Sequence, residues 1–225
     1  LAIVSTRIVP DAAIIDPELT LTLPQKVTAA SGVDAFTHCV ESFVNPNSSH
    51  LSEHYSIQGM ELIARSLRRV CEEGSDLEAR GDMALGAHYG GVCLTSAGAG
   101  AIHALAYPLG ARFHIPHGVS NSLMFSHVMK VNYPANPGKF ARIAQILGED
   151  TSGLPIEEAA GRSVGAVERL CRDCGVPTRL SEVDVPAHVI PELAEAAFTT
   201  QQRLLGFNPK GLSLEDIEKI YRAAA

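Results

Sequence analysis

The helical spacing of apolar residues from Pro24 to the C-terminus constrains the fold more than any other feature of this sequence. In segment 51–73, apolar residues recur at intervals of three and four and are followed by Gly74, a pattern typical of an amphipathic helix with a C-terminal glycine. Similar patterns predict helices over 25–44, 76–95, 98–110, 118–132, 138–147, 155–174, 186–204 and 214–224. For the last of these, Ser213 and Asp216 approximate a capping box. The sequence therefore predicts a mainly α protein.

Residues 1–23 have a different character. The runs LAIVS and AAIID are apolar and β-branched, and Pro10 and Pro17 interrupt the segment, which predicts two short strands. Two strands do not form a stable sheet alone, so we expect strands from another chain or domain to pair with them. The predicted organisation is an extended segment at 1–23 and a helical domain at 24–225. Because the chain opens on Leu1, we expect it to be a piece of a longer protein.

Charge and hydropathy favour a cytoplasmic protein with a small-molecule partner. The formal net charge is −7, and the basic residues are scattered, which argues against nucleic acid or an anionic membrane as partner. No apolar run reaches the roughly 18–20 residues of a membrane span. The five cysteines do not resemble a disulfide framework, so we expect reduced thiols and assign the CRDCG motif to packing at a helix end.

An acid and several histidines are candidate metal ligands. Asp34 and His38 are four residues apart, one helical turn, and so lie on the same face. His103 falls in an apolar run with small residues, and His117 follows a proline and precedes a glycine, with His114 as a competitor for the same role. Such a set suits Fe(II) or Zn(II) better than Mg(II) or Ca(II). The alternatives are a surface pair at Asp34 and His38 and a hydrogen-bonded core histidine at His103.

Other motifs indicate no further chemistry. The run GAGAIH at 98–103 lacks the third glycine and the preceding strand of a dinucleotide-binding loop, so we assign it to helix packing. We assign five further histidines to surface or hydrogen-bonded positions: His50, His54, His88, His127 and His188.

Three segments resemble the C-terminal half of the iron-containing, group III alcohol dehydrogenases. They are PDAAIIDPELTLTLPQKVTAASGVDAFTHCVESF, GAIHALAYPLGARFHIPHGVSNSLMFSHVMKVN and FNPKGLSLEDIEKIYRAAA. In that family an Asp-x-x-x-His pair, a histidine in a small-residue helix and a His-Gly pair hold one divalent metal. The resemblance implies Asp34, His38, His103 and His117 as the ligands, without His114.

The resemblance also implies a fold and a reaction. The fold is the helical metal-binding domain of the dehydroquinate synthase-like fold, with residues 1–23 as a β remnant of an N-terminal α/β nucleotide-binding domain. The implied reaction is hydride transfer between an alcohol or aldehyde and NAD or NADP, with Fe(II), or alternatively Zn(II), as Lewis acid. Many members carry a histidine where this chain has Tyr107, which we expect to shape the substrate side.

Three expectations remain open at this point. The first is that the chain is a non-catalytic helical fragment that binds metal but lacks the cofactor domain. A second is metal-assisted elimination or hydrolysis of the dehydroquinate synthase kind, for which only Arg112 lies near the ligands in sequence. The third is a homo-oligomer, or pairing of chains through the N-terminal strands.

Overall fold

The computed structural model describes residues 8–225, and their regular structure is helical. In chain order, the α-helices are α1 Gln25–Val44, α2 His50–Glu72, α3 Leu77–Ser96, α4 Ala101–Phe113, α5 His117–Asn132, α6 Pro137–Ile146, α7 Ile156–Asp173, α8 Ile190–Thr200, α9 Gln202–Leu205 and α10 Leu214–Ala224. Short 3₁₀ turns occur at Pro17–Thr20, Tyr133–Ala135, Leu180–Val183 and Ala187–Val189. The mainly α prediction is therefore confirmed.

Helix α1 lies at the centre of the molecule. It packs against α2, α3, α5 and α6, and most of its residues are buried. A helix that is apolar around most of its circumference is stable only when neighbours cover it on several sides. One continuous hydrophobic core runs from α1 through the helices around it, and Phe36 of α1 and Phe125 of α5 contact each other in it with their ring centroids 6.1 Å apart.

The predicted N-terminal β remnant is not observed. The run LAIVS falls at residues 1–5, outside the described part of the chain. The run AAIID, residues 12–16, is described and forms no strand, because residues 8–225 contain no strand that could pair with it. The side chain of Ile14 is accordingly 93% exposed. The chain then turns into the 3₁₀ segment Pro17–Thr20, which packs against α3.

Most predicted helices begin and end within a few residues of the observed ones, but the single helix predicted over 186–204 is wrong. The chain there forms a 3₁₀ turn, then α8 and α9. Pro191 lies in the first turn of α8, where a missing N–H costs nothing. Gln201 leaves the helical region with φ −113° and ψ 26°, which separates α9 from α8.

The capping box predicted for α10 is confirmed. The Ser213 Oγ accepts from the Asp216 N–H at 3.1 Å, and the Ser213 N–H donates to Asp216 Oδ2 at 3.0 Å. The helix is joined to the core by Tyr221, whose buried hydroxyl donates to the Leu105 carbonyl of α4 at 2.5 Å. Helix α10 therefore buttresses the helix that carries His103.

All five cysteines are free and buried, as the sequence predicted for reduced thiols. Cys171 and Cys174 pack into the core at the end of α7, which confirms the helix-end role of the CRDCG motif. Among residues 8–225, no single helix has both the length and the apolar character of a membrane span. Helices α3 and α4 meet such a test only together, and they are bent by 103° at their junction.

Candidate metal centre

Helix α1 supplies two donor atoms. Asp34 and His38 lie one turn apart on the face toward α4 and α5, and Asp34 Oδ1 is 3.6 Å from His38 Nε2. The spacing follows from helix geometry alone, since residues i and i+4 are neighbours on the helix surface. The side chains are about one-fifth exposed, so the pair is neither a surface pair nor part of the closed core.

Helix α4 supplies the third donor in its first turn. His103 is 2% exposed, and its Nε2 lies 3.4 Å from Asp34 Oδ1. Its ring stacks on that of His38, with the centroids 4.8 Å apart. The helix begins after Gly100, where a Cβ would lie 3.2 Å from Glu41 Oε1. The packing role predicted for the glycines of GAGAIH is thus confirmed at Gly100.

His117 supplies the fourth donor and begins helix α5. Helix α4 ends at Phe113, the following His114 turns the chain back with a φ of 56°, and Pro116 precedes α5. His117 Nε2 lies 3.6 Å from Asp34 Oδ1. The next residue is Gly118, and a Cβ there would lie 2.1 Å from the Ala30 carbonyl oxygen. Only glycine therefore permits α5 to begin this close to α1.

The structure brings all four predicted ligands together. One donor atom from each of Asp34, His38, His103 and His117 lies within 4.8 Å of the others. Metal–ligand bonds of about 2.1 Å in a tetrahedral arrangement would separate donor atoms by roughly 3.4 Å, close to the spacings around Asp34 Oδ1. His114, the competing candidate, is exposed and lies outside the cluster.

Glu41 contacts the cluster and was missed by sequence analysis. Its carboxylate is buried, with Oε2 2.5 Å from His103 Nδ1 and Oε1 accepting from the Ile102 N–H at 2.6 Å. A signal for it exists in the sequence. Glu41 follows His38 by three positions and Asp34 by seven, so all three residues lie on one face of α1.

Asn121 is the second residue that sequence analysis missed, one turn after His117 on α5. Its Nδ2 lies 2.5 Å from Asp34 Oδ1, 3.2 Å from His103 Nε2 and 3.3 Å from His117 Nε2. Its buried Oδ1 has no hydrogen-bond partner within residues 8–225. Buried polar atoms without a partner are rare in folded proteins and are costly. The contacts with the donor atoms are made by Nδ2, so Asn121 borders the cluster through its amide nitrogen.

The three histidines differ in protonation. Burial lowers the pKa of His38 to about 4, although the Asp34 charge opposes this, and burial also lowers the pKa of His117. Burial would lower the pKa of His103 as well, but the Glu41 and Asp34 carboxylates outweigh it, and the pKa rises to about 9. For Asp34, burial is outweighed by the hydrogen bond to His103 and the nearby histidines, so its pKa is lowered.

Tyr107 lies on the exposed side of the cluster. Its ring stacks on His117 with the centroids 5.6 Å apart and the planes at 18°, and it is 6.4 Å from the His103 ring. The side chain of His117 is 44% exposed. Burial, together with the charges of Glu41 and Asp34, raises the pKa of Tyr107. Its hydroxyl therefore stays protonated at neutral pH, and its ring lies against His117, the most exposed of the four donors within residues 8–225.

The donor set fits a divalent first-row metal. One carboxylate and three imidazoles suit Fe(II) or Zn(II), whereas Mg(II) and Ca(II) prefer oxygen ligands. His103 is held through Nδ1 by Glu41, which leaves its Nε2 directed at Asp34, and Asp34 Oδ1 accepts a hydrogen bond from Asn121 Nδ2. The arrangement can bind a cation and leaves its Tyr107 side open to a small molecule.

The chain is similar to known proteins in sequence and in fold. A family model described as "Fe-containing alcohol dehydrogenase family, C-terminal" matches residues 28–225. Long-chain-alcohol dehydrogenase 1 of Geobacillus thermodenitrificans is 42% identical over 214 residues, covering 95% of this chain and 54% of the relative. The 1,3-propanediol dehydrogenase of Citrobacter freundii is 38% identical over 222 residues, covering 99% and 57% respectively.

A solved structure has the same fold. The crystal structure of a 1,3-propanediol oxidoreductase superposes with a TM-score of 0.90 at 36% identity, covering 93% of this chain and 55% of that chain. The chain spans about half the length of the curated relatives it matches. Since the matched residues include the helices that carry all four donor atoms, the chain belongs to the Fe-containing alcohol dehydrogenase family and corresponds to its C-terminal region.

Proposed function

We propose that this chain supplies the metal-binding half of an alcohol dehydrogenase that transfers hydride between a small alcohol or aldehyde and NAD or NADP. The convergence of Asp34, His38, His103 and His117 on one point carries the proposal. A bound divalent cation would supply Lewis acidity that polarises the substrate oxygen and lowers the pKa of an alcohol. We take Fe(II) as the metal, with Zn(II) as the alternative, because the donor set suits both.

The residues of the centre have two different roles. Asp34 and the three histidines hold the ion, and Tyr107 shapes the substrate side as a hydrogen-bond donor beside His117. A bound nicotinamide would supply the hydride chemistry: it would accept hydride from the carbon of an alcohol or, in its reduced form, donate hydride to the carbon of an aldehyde. Because the pKa of Tyr107 is raised, its hydroxyl is suited to donating a hydrogen bond and not to accepting a proton at neutral pH.

Elimination chemistry of the dehydroquinate synthase kind has less support. That reaction requires cationic side chains to hold an acidic substrate, and Arg112 was the candidate. In the structure the Arg112 guanidinium pairs with Glu192 of α8. We still propose that the helical architecture is that of the dehydroquinate synthase-like fold, since several helices surround one core and three of them carry the donors.

Metal binding without cofactor binding is the second candidate for the 225-residue chain by itself. It is supported by the match to only 54% of the Geobacillus relative. The buried, free cysteines suit a reducing compartment, and we propose a cytoplasmic location for the enzyme.

Elemental analysis of the purified chain tests the proposed centre. We expect about one equivalent of iron or zinc in the wild-type chain and a loss of it in His103→Ala, because one of four ligands is removed. A wild-type chain that binds no divalent metal stoichiometrically would refute the proposal. A titration with NADH and NADPH then separates the two candidates, since saturable binding favours a complete cofactor site and its absence favours the metal-binding half.

A further inference from the structure

Glu41 is a buried acid that is not itself one of the four proposed ligands. Glu41 is 4% exposed. Within residues 8–225, His103 is the one ion-pair partner of its carboxylate. Burying a carboxylate away from water is costly unless it is paired and hydrogen-bonded. A neutral or apolar side chain at position 41 would avoid the cost of burying a charge. The contacts of the Glu41 carboxylate indicate what offsets this cost.

Both oxygens of the Glu41 carboxylate are used. Oε1 accepts from the Ile102 N–H at 2.6 Å, and Oε2 lies 2.5 Å from His103 Nδ1. The first contact caps α4, whose N-cap residue Gly100 has no side chain to do so. It also fixes the carboxylate relative to the α4 backbone, and therefore relative to the ring of the adjacent His103.

The second contact determines which nitrogen of His103 is available. When Nδ1 carries the proton that is donated to Glu41, Nε2 is left with the lone pair, and Nε2 is the atom that faces Asp34 Oδ1. A carboxylate behind an imidazole also makes the imidazole a stronger ligand. Glu41 adds a second negative charge to that of Asp34 near a site suited to a divalent cation.

We propose that Glu41 is a positioning residue of the metal centre, which orients the His103 ring, keeps its proton on Nδ1 and thereby strengthens cation binding at Nε2. This inference rests on the proposed metal site. Glu41 does not touch the cation or the substrate, and its effect passes through His103.

The variant Glu41→Gln tests this role. Glutamine has the same length and can still accept from the Ile102 N–H, but it loses the charge and can present only one acceptor oxygen to two donors. We expect the affinity for Zn(II), measured by competition with a chromogenic chelator, to fall about 10- to 100-fold. The absorption spectrum of the Co(II)-loaded chain should change as well, because a displaced imidazole alters the ligand field.

Thr37→Val is the matched control. Thr37 is fully buried on the same helix, and its hydroxyl bonds within the helix to the Val33 carbonyl at 2.8 Å. We expect wild-type Zn(II) affinity for this variant. Thermal unfolding in excess chelator measures the stability that Glu41→Gln loses without the metal. A weaker Zn(II) affinity at a temperature where the metal-free variant is still fully folded separates a ligand-positioning role from a purely structural one.

A measurement on the wild-type chain does not depend on how the variant folds. In the zinc-loaded chain, a long-range ¹H–¹⁵N spectrum should show His103 protonated at Nδ1. Protonation at Nε2 would overturn the inference, and so would an unchanged Zn(II) affinity in Glu41→Gln. Either result would leave the proposed metal site supported, provided that the wild-type chain binds one Zn(II) and the His103→Ala chain does not. If the wild-type chain binds no metal, both proposals fail.

Discussion

The pKa values of the individual histidines determine which of them carry a proton that a cation has to displace. His38 and His117 have lowered pKa values and are neutral at pH 7, so their lone pairs are free. His103, between two carboxylates, has a pKa of about 9 and holds a proton when no cation is bound. A cation must therefore displace one proton, from His103, in order to use all three imidazoles.

The pH dependence of metal affinity follows from this difference. Below pH 9 the proton competes with the cation for His103, so lowering the pH weakens binding and raising it strengthens binding. Between pH 6 and pH 8 we expect the Zn(II) affinity to rise about tenfold per pH unit, with about one proton released per ion. Calorimetry in buffers of different ionisation enthalpy measures that proton release. An affinity that stays constant between pH 6 and pH 8 would contradict the assignment of the proton.

Tyr107 provides a second test on a single side chain. Its ring stacks on His117, the most exposed of the four donors, and such aromatic contacts contribute about 0.5–1.5 kcal/mol. Tyr107→Ala should weaken Zn(II) binding by roughly three- to tenfold, because His117 loses the ring that orients it. Tyr107→Phe keeps the ring and should bind Zn(II) like wild type. Equal affinities for the alanine and phenylalanine variants would show that the stacking does not position His117.

The approach of helices depends on small residues at their contacts. Helix α5 begins against α1, where Gly118 leaves no room for a side chain beside the Ala30 carbonyl. Because His117 is the neighbour of Gly118 and Asp34 is one turn after Ala30, this contact sets the distance between two donors on different helices. The glycine that follows His117 thus has a packing role that its sequence position alone does not reveal.

Gly118→Ala should separate α5 from α1. Its Cβ would lie 2.1 Å from a backbone oxygen, and forced overpacking of this kind costs about 1–3 kcal/mol. We expect a lower urea midpoint and weaker metal binding in the same variant. Gly91→Ala is the control, because a Cβ there meets nothing within 4 Å and alanine favours the interior of α3. The prediction fails if Gly118→Ala unfolds at the same urea concentration as the wild type.

The whole molecule is organised so that one ion would connect three helices of a continuous core. The donors lie on α1, α4 and α5, and α10 supports α4 through Tyr221. A ligand that binds only the folded chain shifts the unfolding equilibrium by mass action. The metal should therefore stabilise the entire fold and not the centre alone.

Metal removal is the corresponding test. At a free Zn(II) concentration 100 times Kd, the stabilisation is about 2.7 kcal/mol, which corresponds to a Tm increase of roughly 5–10 °C for a chain of this size. Differential scanning calorimetry with Zn(II) and with excess chelator measures the difference. His103→Ala should show almost no such difference. A wild-type Tm that does not respond to the metal at this ratio would contradict the prediction that the ion binds the folded chain in preference to the unfolded chain.

Local features of the chain were predictable from the sequence because they depend on neighbours in the sequence. The helix pattern, the α10 capping box and the one-turn spacing of Asp34 and His38 follow from the geometry of a single helix. The meeting of these two residues with His103 and His117 was not derivable from spacing, and there the resemblance to the family supplied the expectation. The family assignment itself is confirmed by the match over residues 28–225.

The tertiary structure decided what depends on distant segments. Whether AAIID becomes a strand depends on a partner strand, and residues 8–225 offer none. The roles of Glu41 and Asn121 depend on α4 and α5 packing against α1, since each residue contacts a donor from another helix. An acid on a helix face can be solvated, paired or buried, and only the packing of α4 against that face makes Glu41 a partner of His103. The sequence by itself therefore determined the helices and the chemical types of the donors, whereas helix packing determined which atoms meet.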